Sequence, residues 1–275
     1  MRISVFDIGG TWIKHALFDG ESLSETSYIP TEANLGTAQM LDKLVQILQT
    51  ELTEGPLDAV GISTRGQVDP ISGTIVYDPP EVFPDYMGTC LPEALQKALN
   101  FPALPVIVEN DANCAAIAES VFGAAKRFPS SITLTFGTGI GGGIVLDGKI
   151  LHGDRYSAGE FGMMYLPDES GRPVHWEQLA SNQVLAENPD LWQHRAAMGI
   201  ASVIHVFNPP CVVLGGGLME DQERFFRLCR EVYPLLAPGF EHLTIASAEL
   251  GNRAGMLGAG YLAMTKLKEK GFTHP

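Results

Sequence analysis

The chain has little of what would make it a secreted, membrane-embedded or nucleic-acid-binding protein. Of its 275 residues only four are cysteine, namely Cys90, Cys114, Cys211 and Cys229. No two form a CxxC pair and no histidine stands at ligand spacing, so neither disulfides nor a thiolate zinc site is expected, and each cysteine reads as a small buried apolar residue in a reducing compartment. Basic residues are scarce as well: 18 Lys and Arg stand against 32 Asp and Glu, for a formal net charge of -14 and a pI near 4.8. A surface of that sign repels phosphate backbones, which removes nucleic acid from the expected partners. No apolar run is long enough to span a bilayer, and a strand-like run begins at residue 2 with no charged leader before it. A membrane partner and a signal peptide are therefore not expected, and the protein is read as cytoplasmic. Low-complexity linkers are missing too, so any two domains are joined by structured crossings.

What is present is apolar residues in ordered patterns. Hydrophobic residues make up 45% of the chain, enough for one large or two ordinary domains. Alternating runs at 2–7 and 12–18 predict an opening hairpin, and helical spacing follows over 36–54. A strand at 59–63, a loop holding Pro79, Pro80 and Pro84, a helix over 91–99 and a strand at 106–108 complete a first α/β unit, which runs into Glu109-Asn110-Asp111. An Ala- and Glu-rich helix over 111–122 leads to a second hairpin, with strands from 131 and 144 and a bend read as Gly137 to Gly143. Helices over 189–207, 219–235 and 255–269 and strands at 211–214 and 243–247 finish the chain. The class is α/β, with mixed sheets and flanking helices.

The two hairpins form a weak internal repeat: apolar strand, Gly/Thr-rich bend, apolar strand, then Asp-Gly. The first bend is Gly9-Gly10-Thr11 after Asp7, the second contains Gly137, Thr138 and Gly139, and a third glycine run, Gly215-Gly216-Gly217, follows a β-branched strand. Such bends expose successive backbone N–H groups that a phosphate can approach closely. Asp7 would repel that phosphate unless a cation lay between them, and Mg²⁺ bridging carboxylate and nucleotide phosphates meets the requirement. For either bend alone a tight hairpin explains the glycines equally well; two in matching places favour a nucleotide. Each bend leads into another strand and no GKS or GKT occurs, which excludes the Rossmann and P-loop solutions.

DIGGT at 7–11, ENDAN at 109–113, GTGIGGGIVLDGKILHG at 137–153, AGEFG at 158–162, WEQLAS at 176–181 and VVLGGG at 212–217 occur in that order and span most of the chain. Together they resemble the ROK family of bacterial sugar kinases. The resemblance implies the two-domain actin-like ATPase (ribonuclease H-like) fold closing over a cleft, with a small domain of 1–110 plus about 255–275 and a larger one of 111–254. It implies transfer of the ATP γ-phosphoryl group to a sugar 6-hydroxyl, with Asp111 as general base and Asn110, Asp111, Glu160 and Glu177 as sugar ligands. Gly9, Gly10, Thr11, Lys14, Gly137, Thr138, Gly139, Gly215 and Gly216 fall to the ATP phosphates, and Asp7 to Mg²⁺ through the nucleotide. Expected partners are a sugar and ATP, with a homodimer left open. Bland readings stand beside these: Asp111 as a helix N-cap, Glu160 as an exposed loop charge, and Glu177 as a favourable charge at a helix start. A catalytically weak sugar sensor of the same family is the alternative function.

The chain departs from the family in three places. Many ROK proteins follow GEFG with a histidine and then a CxCGxxGC zinc cluster; here Met163 stands instead and 167–175 holds no cysteine, so no structural zinc is expected. His175 is the nearest substitute, read as a solvated loop histidine. Met163 leaves apolar room beside the anomeric carbon, and STRGQVD at 63–69 with YMGT at 86–89 is similar to β-glucoside kinases. The substrate choice is thus a hexose, an N-acylhexosamine or a β-glucoside. In the first bend Trp12 replaces the usual lysine and Lys14 follows two residues later. The segment 182–210 is also short for the family, on the nucleotide side.

Overall fold

Alternation of apolar residues makes β1 (Ile3–Ile8) and β2 (Trp12–Phe18) an antiparallel hairpin, as expected, and β3 (Ser27–Pro30) adds a short third strand that carries too little pattern to be read from sequence. These elements belong to a computed structural model that describes residues 1–269 and Gly271; the last residues of the expected 255–275 segment lie outside the described residues. Helix α1 (Thr37–Glu54) buries Met40, Leu44 and Leu48, one face at i, i+4, i+8 spacing. Then come β4 (Ala59–Thr64), a small hairpin of β5 (Gln67–Asp69) and β6 (Thr74–Tyr77), helix α2 (Leu91–Ala98), β7 (Val106–Asn110) and helix α3 (Asp111–Val121). The β5–β6 hairpin occupies the start of what reads as a proline-rich loop; its strands are too short for a period-2 signal.

The next sheet contains β8 (Ser131–Phe136), β9 (Ile140–Leu146) and β10 (Lys149–Ile150), followed by a two-stranded pair, β11 (Tyr165–Pro167) and β12 (Pro173–His175). Helices α4 (Trp176–Leu179), α5 (Asn182–Glu187) and α6 (Pro189–Phe207) precede β13 (Cys211–Gly215), α7 (Gln222–Val232), β14 (Thr244–Ser247) and α8 (Ala254–Glu269). The helix expected over 219–235 is broken into a single turn at Gly217–Glu220, α7, and another turn at Tyr233–Leu235. The break has a local cause: Asp221 accepts from the backbone N–H of Glu223 and Arg224 and so caps a new helix, and Pro234 cannot continue it.

The chain forms two compact units, one of 1–114, 154–156 and 253–275 and one of 115–153 and 157–252. In the first, the sheet order is β3-β2-β1-β4-β7; in the second it is β10-β9-β8-β13-β14. Each sheet has two antiparallel pairings followed by two parallel ones. The repeat seen in the two glycine bends therefore extends to the whole of each sheet. The first core gathers Phe6, Ile8, Ile13, Val60 and Ile62 with the α1 stripe, and the second gathers Phe136, Ile200, Val212 and Leu214 around Trp176 and Trp192. Among the described residues no helix is long and apolar enough to cross a membrane. Cys114 and Cys211 are buried, whereas Cys90 and Cys229 are only partly so.

The second core depends on close packing of α4 and α6. Trp176 is fully buried, donates its indole N–H to the Arg195 carbonyl at 3.0 Å, and lies so close to Gly199 that a Cβ there would sit 2.0 Å from its Cε2. Gly199→Ala should therefore destabilise the protein by about 1–3 kcal/mol through overpacking, read as a lower midpoint in denaturant unfolding; an unchanged midpoint would contradict this packing.

Candidate active site

In the first unit β1, β4 and β7 run parallel, with Ile8 opposite Thr64 and Thr64 opposite Asn110. Their C-terminal ends consequently reach one edge of the sheet at one level. The bend 9–11 leaves β1 there, Arg65 follows β4, and β7 delivers Asn110 and Asp111 to the start of α3. Open α/β sheets bind ligands at this edge, because the strands stop and backbone groups and helix N-termini are free to face a solute.

Asp7 is the acid of the edge, and it is held on both sides. Its Oδ1 accepts from the Ser63 hydroxyl at 2.7 Å and its Oδ2 from Lys14 Nζ at 2.9 Å. Lys14 lies opposite Asp7 in the β1–β2 register, which explains the pairing. The bend itself is divided in its use. The Gly9 N–H closes the hairpin onto the Trp12 carbonyl at 3.0 Å, and the Gly9 carbonyl accepts from the Thr31 hydroxyl at 2.8 Å. Gly10 and Thr11 are exposed.

A cation carried by nucleotide phosphates needs only one carboxylate from the protein, since hydrated Mg²⁺ keeps most of its shell as water and phosphate oxygen. Asp7, with one partner on each oxygen and lone pairs to spare, fits that demand. Among the described residues no group of three or more His, Cys, Asp and Glu could hold a metal ion by itself.

The ENDAN segment is built differently from the simplest sequence reading. The α3 N-cap is Asn110 and not Asp111: Asn110 Oδ1 accepts from the N–H of Ala112 at 2.9 Å and of Asn113 at 3.1 Å. Asn110 Nδ2 donates to the Gly66 carbonyl at 2.9 Å, tying the end of β7 to the loop after β4. With the cap already supplied, Asp111 stands exposed as the first helical residue, its Oδ1 accepting from the Ala112 N–H at 2.8 Å. Glu109, absent from the sequence candidates, braces the segment. It is buried and its Oε1 accepts from the Asn110 N–H and from Asn113 Nδ2, at 2.9 and 3.0 Å. An acid at a strand position that points inward was the available signal.

In the second unit the bend is only Gly137, Thr138 and Gly139, and Gly141 to Gly143 belong to β9, opposite Thr135, Leu134 and Thr133. The glycines extend into the strand because the AGEFG segment lies on it: a Cβ at Gly142 would stand 2.5 Å from the Phe161 ring. The Gly137 N–H bonds the Gly139 carbonyl at 3.0 Å, and Thr138 is exposed at the tip. Glu177, on the first turn of α4, puts its Oε2 against both Gly139 and Gly162; Cβ atoms there would lie 2.7 and 2.9 Å from it. The missing side chains make room for this carboxylate. Glu160 is exposed at the head of the single turn Phe161–Met163, and Met163 is half exposed. Gly215 ends β13, and Gly216, at φ 85, turns the chain closely over the Phe136 backbone, directly before the second bend. His175 is on β12 and not in a loop; its ring meets Tyr165 edge-on at 4.6 Å.

The double use of Asn110 gives a check on this geometry. Asn110→Ala should cost about 1 kcal/mol of stability from the lost cap, and Asn110→Asp, which still accepts but cannot donate to Gly66, should lose less. Equal unfolding midpoints for the wild-type and Ala proteins would contradict the cap.

The motifs and topology agree with comparisons to known proteins. The ROK family profile matches residues 3–190 and 190–266, the two stretches meeting inside the segment expected to be short. A β-glucoside kinase of Klebsiella pneumoniae is 29% identical over 311 aligned positions, which cover 95% of this chain and 95% of the relative. Among solved structures, a ROK hexokinase from Thermus thermophilus aligns with a TM-score of 0.82 and 30% identity over 98% of this chain and 100% of its own. A ROK family glucokinase from Streptomyces griseus, solved with glucose and AMPPNP, aligns with a TM-score of 0.79 and 25% identity over 96% of this chain and 100% of its own. The chain belongs to the ROK family and has the actin-like ATPase fold of that family's sugar kinases.

Proposed function

We propose that the protein is an ATP-dependent sugar kinase that moves the γ-phosphoryl group of MgATP to the 6-hydroxyl of a pyranose, with Asp111 as the general base. The observation that carries this reading is the shared edge of β1, β4 and β7, where a glycine bend with Asp7 and a solvent-exposed Asp111 end at one level. The kinases among its relatives support the same class of reaction.

The chemistry assigns each residue a task. The sugar O6 attacks the γ-phosphorus while its proton passes to the Asp111 carboxylate, the bond from that phosphorus to the bridging oxygen breaks, and ADP leaves with its cation. When bound, Mg²⁺ supplies charge neutralisation for the phosphate oxygens, and Asp7 is the residue that holds it. Lys14, already paired with Asp7, adds a second positive charge next to the first bend. Thr11, Gly10 and, in the second unit, Gly137, Thr138, Gly139, Gly215 and Gly216 are the backbone-rich segments given to the phosphates. Asn110, Glu160 and Glu177 are given to the sugar hydroxyls, for which carboxylates are suitable acceptors.

Within this class, a β-glucoside is the substrate we favour. Met163 is half exposed and apolar where many relatives carry an imidazole, which suits a substituent on C1 better than a free anomeric hydroxyl. A weak sugar sensor of the same fold gains no support from a site that keeps both Asp7 and Asp111.

Asp111→Asn should lower kcat by about 10²- to 10⁴-fold with sugar binding still measurable by calorimetry; turnover at the wild-type rate would remove Asp111 as the base. Met163→His should lower kcat/KM for an aryl β-glucoside relative to free glucose by about tenfold. An unchanged ratio would take Met163 out of substrate choice.

A further inference from the structure

Arg65 has no part in the assignments above, although it stands on the same sheet edge. Its backbone N–H reaches toward the Ile8 carbonyl, the last residue of β1, at 3.5 Å, and one end of its guanidinium lies against the first bend: a Cβ at Gly10 would be 3.5 Å from Nη1. The side chain is aimed by Asp78, whose Oδ1 accepts from Nε at 2.6 Å. Asp78 is 2% exposed, and its Oδ2 is buried with no hydrogen-bond partner.

A buried carboxylate with one unsatisfied oxygen is costly, and burial pushes its carboxyl up despite the adjacent cation. An ion pair kept only for stability would be expected to satisfy both oxygens in a bidentate fork. Here the acid engages Nε alone, and Nη1 lies against the bend with no hydrogen bond of its own among the described residues. Thr64, the residue before Arg65, is anchored in the core through its hydroxyl, which lies 2.6 Å from that of the buried Tyr86. The Asn110 bond to Gly66 fixes the loop immediately after Arg65 to the residue immediately before Asp111.

We propose that Arg65 is a further catalytic residue: its Nη groups bind the transferable phosphoryl group of ATP at the first bend and neutralise charge on its equatorial oxygens as the group passes to the sugar, while Asp78 is the positioning residue that sets the guanidinium. Planar donors matched to phosphate oxygens suit this task, and a single arginine stabilises a phosphoryl transfer strongly. The inference rests on the kinase reading for its catalytic part.

The test compares wild type, Asp78→Asn and the double variant Arg65→Met with Asp78→Asn, so that no unpaired charge is left buried and folding is monitored by circular dichroism. ADP and the ATP analogue AMPPNP are titrated by calorimetry, and ADP release is measured with saturating sugar. A contact to the terminal phosphoryl predicts that removing Arg65 weakens AMPPNP about tenfold or more while ADP changes little, and that kcat falls about a hundredfold below that of Asp78→Asn. An unchanged ratio of AMPPNP to ADP affinity overturns the proposal, because a structural role would weaken both alike. That ratio is read without turnover, so it judges Arg65 separately from the kinase reading, which fails on its own if the wild-type protein phosphorylates no sugar.

Discussion

The parallel alignment of β1, β4 and β7 is the constraint on which the first unit's chemistry depends. Parallel strands in register stop together, so residues distant in sequence, Gly10, Arg65 and Asp111, arrive at one edge without any dedicated loop to bring them there. Short hydrogen bonds then keep that edge in shape. Asn110 ties β7 to the loop after β4, Ser63 ties β4 to Asp7 on β1, and Lys14 ties β2 to the same acid. Ser63 and Lys14 share one acceptor, so the two bonds on the Asp7 carboxylate join β1, β2 and β4 at a single group.

The second unit reaches a comparable arrangement through packing. Two fully buried tryptophans, Trp176 and Trp192, anchor α4 and α6 and donate their indole N–H groups to backbone carbonyls, so neither leaves a polar atom unpaired. With Trp176 fixed, its neighbour Glu177 is held against Gly139 and Gly162. An acidic side chain is thereby placed at the glycine bend by a hydrophobic core, in contrast to Asp7, which is placed by strand register. The same sheet order thus carries two different means of fixing a carboxylate.

Much of this was legible in the sequence wherever a long period existed. The opening hairpin, α1, α6 and the buried strand β13 follow directly from alternation, helical spacing and β-branched runs. The short elements β3, β5, β6, β11 and β12 did not, because three or four residues hold at most two periods. Glycine was ambiguous for a related reason: Gly137 and Gly142 look alike in a string, yet one lies in a turn and the other receives Phe161 on a strand. The family motifs located Asp7, Asp111 and Glu177. They could not show that Asn110 is the cap, that Lys14 is paired with Asp7, or that Arg65 faces Gly10, since the first depends on where the helix starts, the second on strand register and the third on a contact between residues 55 apart.

The most direct measurement is sugar-dependent release of ADP by the wild-type protein, with MgATP and a panel of glucose, mannose, N-acetylhexosamines, cellobiose and an aryl β-glucoside, with ³¹P NMR of the product. Turnover that requires a pyranose and yields a phosphate ester on O6 is the predicted result. A folded protein that releases no ADP with any of these sugars, or that places the phosphate on another hydroxyl, would contradict the assignment of this edge as the site of phosphoryl transfer to O6.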